Sequence, residues 1–236
     1  MDLTADFRAT PPPGLEEDGT SREGASVHQM IRDDIIAGRL APNERLVVTD
    51  LARQHDTSTN PVREALQLLR GEGFVIFTKN RGARVRPIDQ DFVRDIYEIS
   101  VVIEPALTRW FVTMATEEDI AELEELEAAI EKNAFSDMKL HGELDTAFHT
   151  VMYRRHYNRH AAELWWRYRE VLRAVSRRYS VTLARRAAVI REHRDLIDCV
   201  KTQDADRAAH MIAVHVEASS RHLLEQMRAQ GAAQAV

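Results

Sequence analysis

Of the 236 residues only one, Cys199, is a cysteine. A lone thiol excludes an internal disulfide framework and any zinc site made of thiolates alone, and it fits a reducing compartment. Long apolar runs are also missing, and nothing approaches the roughly 18–20 consecutive apolar residues of a membrane span. The opening Met1-Asp2-Leu3-Thr4-Ala5-Asp6 has no basic stretch leading into an apolar one. No secretory signal is expected, so the expectation is a cytoplasmic protein with no membrane partner. Glycine (9) and proline (7) are sparse and aromatic residues make up 6%, which argues against a fibrous or loop-dominated chain.

What is present is apolar and charged in good measure, 44% and 30%, with abundant Ala, Leu, Arg and Glu. That composition supports a core, one or two domains and a mostly helical fold. The net charge of −6 is unevenly spread: residues 26–88 hold ten Lys and Arg against seven Asp and Glu, whereas the remainder is acidic. By charge, only the first part suits nucleic acid.

Residues 1–24 contain Pro11-Pro12-Pro13-Gly14 and no sustained apolar period, and read as a disordered tail. From Ser26, a plausible N-cap, the apolar stripe Val27, Met30, Ile31, Ile35 predicts a helix that stops at Gly38. A short helix follows from Val48 to His55 with Thr49 as a possible cap, then a third through Pro61 to Arg70. Phe74–Phe77 and Ala83–Arg86 read as two strands around a tip at Lys79-Asn80-Arg81-Gly82. Three short helices followed by a ribbon is the order of a winged helix-turn-helix, placed at 25–87. Residues 91–228 read almost entirely as helix: about 91–115, 116–132, 136–157, 159–179, 182–201 and 204–227. Thr116 and Asp204 are good caps, and Asn158 breaks the chain between His156 and His160. The acidic run Glu122–Glu131 reads as a solvated helix face. The fold class is therefore mostly α, a winged helix-turn-helix joined to an all-helical bundle.

A helix that reads bases places its N-terminal side chains in the major groove. Ser58, Thr59, Asn60 and Arg63 occupy the first two turns of the third helix; Asn suits adenine, and Arg suits guanine or phosphate. Lys79, Arg81 and Gly82 at the tip suit phosphates or a minor groove. Read singly, Ser58 is as well explained as an N-cap and the arginines as solvated surface; together they favour operator DNA. Arg45-Leu46, Asp50-Leu51-Ala52, Pro61-Val62-Arg63-Glu64-Ala65-Leu66, Glu72-Gly73 and Arg81-Gly82-Ala83-Arg84-Val85 together resemble the winged-helix domain of GntR-type bacterial transcription regulators. Thr59 stands where the family usually has an arginine, so the resemblance does not carry over an operator sequence.

In the second half, Asp145 and His149 lie at i, i+4 on one helix face. His193 and His215 lie on two later helices. One oxygen and three nitrogens suit a divalent transition metal, zinc foremost and nickel or manganese next; by spacing alone, the pair is equally an ordinary polar pair of a helix. Asp145-x-x-x-His149, Asn158, Glu192-His193, Ala208 and His215 are similar to the FCD domain of FadR-like GntR regulators. That resemblance implies that Asp145, His149, His193 and His215 bind metal. It also implies a small-molecule effector, most simply a carboxylic acid, in the helical cavity. Ser100 replaces the arginine that usually points into that cavity; Arg169 and Arg173, at i, i+4, are candidates to supply the cation, with Asn158 nearby.

The expectation is thus a metabolite-responsive repressor acting as a homodimer, not an enzyme. Two alternatives stand: a metal-dependent enzyme acting on a small acid, which lacks an obvious general base beside the ligands, and a regulator whose metal is purely structural. Cys199 within Ile197-Asp198-Cys199-Val200 reads as packing, not as a nucleophile.

Overall fold

A computed structural model describes residues 22–78 and 82–234. The chain divides into two compact units, with the break at Phe92–Val93. In the first, α1 (Arg22–Ile36), α2 (Val48–Gln54) and α3 (Thr59–Gly71) accompany a small sheet. Its strands are β1 (Arg45–Leu46), β2 (Val75–Thr78) and β3 (Gly82–Val85), in the antiparallel order β1-β3-β2. The helix pattern repeats apolar positions on one face of α1 and one of α3. Val27, Ile31 and Ile35 thereby meet Val62, Ala65, Leu66 and Leu69 in a dry core completed by Phe74 and Val85. Each fully buried aliphatic side chain contributes about 1.5–3 kcal/mol.

Several boundaries depart from the sequence expectation. Helix α1 begins at Arg22, so residues 22–24 are not tail and Ser26 is inside the helix instead of capping it; the remainder of the expected tail, 1–21, lies outside the described residues. Helix α2 starts after Val47 with no side-chain cap, so Thr49 lies in its first turn. Strand β1 was not anticipated because two residues carry no period. It forms because Arg45 and Leu46 find Arg84 and Ala83 as partners on β3.

The described elements of the second unit are all helices: α4 (Gln90–Met114), α5 (Glu117–Asn133), α6 (Met138–Tyr153), α7 (Arg159–Ser176), α8 (Leu183–Lys201) and α9 (Ala205–Gln234). Local chemistry sets the starts. Thr116 and Asp119 form a reciprocal capping box at α5, Asp137 accepts from the Lys139 and Leu140 amides, and Thr182 accepts from Arg185 N–H. Asp204 accepts from Arg207 N–H at 3.0 Å. Between α5 and α6, Ala134 and Phe135 take positive φ values of 46° and 59°. That is uncommon for a residue as large as Phe; Phe135 is held there by burial and by the His141 ring, 3.9 Å away. Helix α6 ends four residues before the expected boundary at Tyr157, and α9 runs past 227 to Gln234. Leu123, Leu126, Phe148, Trp165, Leu196 and Ile212 anchor the core, and Cys199 is fully buried among them.

Candidate functional site

On α6, a spacing of one turn puts Asp145 and His149 on the same inward face. Helices α8 and α9 bring His193 and His215 to the same point. One ring nitrogen from each of His149, His193 and His215 lies within 4.8 Å of the others, and all three residues are buried. Asp145 stands at the edge of this cluster: one carboxylate oxygen is 3.5 Å from His193 Nε2, and the other is held by the Arg169 guanidinium.

Two carboxylates orient the rings. Glu127 Oε2 lies 2.8 Å from His193 Nδ1, and Glu192 Oε2 lies 2.7 Å from His215 Nδ1. Glu192 is itself fixed by Arg185, whose Nη1 donates to Oε1 at 2.8 Å while Nη2 donates to Ser219 Oγ at 2.8 Å. Pinning each Nδ1 turns Nε2 inward, an arrangement that orients imidazoles toward a cation. Glu127 corrects the reading of Glu122–Glu131 as a wholly solvated face. Helix α5 packs on α8 through Leu123, Leu126 and Ile130, and Glu127 shares that face, 3% exposed.

Burial sets the protonation. It holds His149 and His215 well below the usual imidazole range and His193 at about 3, with neighbouring positive charge adding to the effect. The rings are therefore neutral at pH 7, the form that donates a lone pair. Both nitrogens of His149 and Nε2 of His193 are buried with no hydrogen-bond partner among the described residues. Leaving such atoms unpaired is costly. A cation bound by one nitrogen of each of the three rings, with Asp145 beside it, would satisfy the inward-facing atoms, so the donor set fits a divalent transition metal.

A cavity of about 120 Å³ opens onto this centre, and Asp145, Arg169, Arg173, Arg185, His141 and His215 are among its walls. Each arginine has a carboxylate partner: Asp145 for Arg169, Glu170 for Arg173 and Glu192 for Arg185. Gly142 makes room for Arg173, because a Cβ there would lie 3.2 Å from Arg173 Cγ. The structure places the sequence-nominated effector residues unequally. Arg169 and Arg173 reach this cavity. Ser100 is buried on α4 and lines a much smaller pocket with Glu104 and Trp165 that adjoins the cavity, sharing Arg169 and His215 with it. Asn158 is at neither: its carboxamide oxygen accepts from Ala161 N–H and caps α7. Arg185, Glu127 and Glu192 were missed as site residues because they lie on other helices than Asp145 and His149, and His141 was missed although it stands one turn before Asp145 on α6. The Glu192-His193 pair was the only trace.

In the first unit, Ser58 stands at the N-cap position of α3 with its hydroxyl not engaged in capping. Asn60 and Arg63 are exposed, Thr59 is half-buried, and the first turn carries no acidic residue. Gly82 is exposed with φ of +74°, a left-handed conformation that favours glycine. Lys79 and Arg81 lie outside the described residues.

The family model described as bacterial regulatory proteins, gntR family, matches residues 24–85, and that of the FCD domain matches 95–218. The chain is 26% identical over 213 residues to the galactonate operon transcriptional repressor of Escherichia coli K12, covering 81% of this chain and 92% of that protein. It is likewise 26% identical to the transcriptional repressor RspR of the same organism, over 81% of this chain and 84% of the relative. Among solved structures, E. coli McbR/YncC superposes with a TM-score of 0.68 at 21% identity, covering 87% of this chain and 99% of that one; that likeness speaks to the fold.

Proposed function

The chain belongs to the GntR family of bacterial regulatory proteins, with an FCD domain, and is a DNA-binding transcription regulator; from that premise we propose that it is a repressor that binds a divalent metal and releases or holds its operator in response to a small organic acid. The observation carrying this reading is the convergence of three buried, neutral histidines, two of them with unpartnered nitrogens, beside a cavity walled by three arginines.

His149, His193 and His215 hold the metal, zinc foremost with nickel or manganese as the alternatives, and Asp145 adds the oxygen. Bound there, the metal supplies a positive charge that can anchor an effector oxygen. Arg169, Arg173 and Arg185 orient the carboxylate. The names of the two E. coli relatives support repression. Ser58, Thr59, Asn60 and Arg63 contact the operator, with Lys79, Arg81 and Gly82 at the wing. A homodimer sets the spacing of two such helices. On α4, the exposed Val102 continues a face with Ile99, Ile103 and Ala106 that offers apolar surface for a second copy. Effector binding that favours one dimer arrangement shifts DNA affinity.

The test is a thermal-shift screen of small carboxylic acids on metal-loaded protein, repeated after chelation. The reading expects a hit that disappears on chelation and in His215→Ala. Full metal content in His215→Ala would overturn the ligand assignment. A second reading, a purely structural metal, is favoured by the donors coming from three separate helices. It predicts that chelation lowers the melting temperature while no acid shifts it in either state.

A further inference from the structure

Beside α3, β1 and the β2–β3 hairpin enclose a cleft of about 430 Å³. Its walls include Arg45 from β1, Arg63 and Gln67 from α3, and Val47, Phe77 and Gly82. In a chain of net charge −6, this cleft holds two cations and no carboxylate among its described lining residues. Both arginines are exposed, and neither guanidinium has an ion pair or hydrogen bond with another described residue. Among the described residues many other arginines are ion-paired; Arg39, Arg154, Arg173, Arg185 and Arg194 all hold carboxylates.

We infer that this cleft is a binding site for a backbone phosphate of duplex DNA, with Arg45 and Arg63 closing on it from opposite walls. The inference rests on the DNA-binding reading and adds to it a residue, Arg45, that helix and wing motifs do not nominate. Its geometry follows from the duplex. A helix N-terminus in the major groove and a hairpin at the adjacent minor groove stand on either side of one phosphodiester strand. That strand must cross the gap between α3 and the hairpin, and this gap is the cleft. Leu46 is buried and pairs with Ala83 across the strands, so the alternation of a β-strand turns Arg45 outward, to the solvent side. Exposed Val47 and Phe77 supply an apolar floor against the sugars, and the Arg70 guanidinium lies 5.5 Å over the Phe77 ring. Apolar walls strengthen a cation–phosphate contact relative to open water.

A phosphate contact is independent of sequence and releases counterions, so it is read on a duplex of mixed sequence as the slope of log K against log salt. The full chain is measured by fluorescence anisotropy over a range of KCl concentrations, as wild type, Arg45→Gln and Arg45→Lys, with melting temperatures recorded in parallel. The clamp predicts that Arg45→Gln reduces the slope by about one unit and weakens binding to all sequences alike. Arg45→Lys keeps the slope, and the melting temperature stays put because Arg45 is exposed. An unchanged slope in Arg45→Gln, beside a salt-dependent wild type, overturns the clamp and leaves the DNA-binding reading standing. A wild type with no salt-dependent binding overturns that reading, and the clamp with it.

Discussion

Glu127 of α5 lies 2.8 Å from Nδ1 of His193 on α8, buried, within a stretch that is acidic on nearly every turn. The contact converts what looks like a solubilising surface into part of the histidine centre. Its partner contact is Glu192 on His215 at 2.7 Å, and the two together fix which nitrogen of each ring faces inward.

Replacing Glu127 with Gln keeps the size of the side chain and removes the carboxyl group, whose pKa burial pushes up to about 8. The expected outcome is a fall of about 10–100-fold in metal affinity with the bundle still folded, the usual scale for an orienting partner. Competition titration with a chromogenic chelator measures it. Affinity equal to wild type would mean that Glu127 does not orient the ring.

Arg169 holds Asp145 and lines the cavity, so Arg169→Gln separates metal from effector. Metal content should persist, because the three histidines remain. Any thermal shift from a carboxylic acid should drop severalfold. Loss of metal in this variant would instead make Arg169 a positioning residue for Asp145.

Gly142→Ala is a smaller perturbation of the same wall. The new methyl meets Arg173 Cγ at 3.2 Å, and the flexible arginine must turn aside. Melting temperature should change by only a few degrees, while acid binding weakens. An unaltered acid response would remove Arg173 from the effector contacts.

Glu104 gives a pH signature. Buried on α4, with Tyr153 Oη donating to its Oε2 at 3.3 Å, it is raised from 4.5 to about 7, chiefly by desolvation. The folded state therefore holds this proton more tightly than the unfolded chain does. Its stabilising contribution is complete below pH 4.5 and is lost as pH rises through 7, by about 3 kcal/mol at most. His141 and His193, both depressed to about 3 by burial, act in the opposite sense, their contribution fading as pH falls below 6.5. The diagnostic quantity is accordingly the difference between wild type and Glu104→Gln in urea melts at pH 5 and pH 8. The variant should gain on wild type at the higher pH; parallel pH dependences would exclude Glu104 as the titrating group.

Leu69→Ala tests the first unit. Leu69 is fully buried between α3 and α1, so truncation should cost 2–5 kcal/mol. DNA affinity should fall with it, while metal content holds because the centre lies in the other unit. Circular dichroism melts and metal analysis on one preparation check both halves.

The sequence alone determined the order of elements and most of the donors. Apolar periods of 3.6 and 2 residues mark α3 and the hairpin, capping residues mark the starts of α5 and α9, and an i, i+4 spacing puts Asp145 and His149 on one face, because these are properties of single helices and strands. Strand β1 was not legible, since its two residues are ordered by hydrogen bonds to β3 and by no pattern of their own. The start of α1 was misplaced because a serine at 26 reads as a cap, whereas the helix begins one turn earlier at Arg22. Only tertiary structure decided that His193 and His215 meet His149, that Glu127 is buried and Asn158 is not at the cavity, and that Arg185 of α8 reaches Ser219 of α9. Each of these depends on which face of one helix meets another. That choice is made by the packing of whole helices, so it leaves little trace in the spacing of the few polar residues carried along with it.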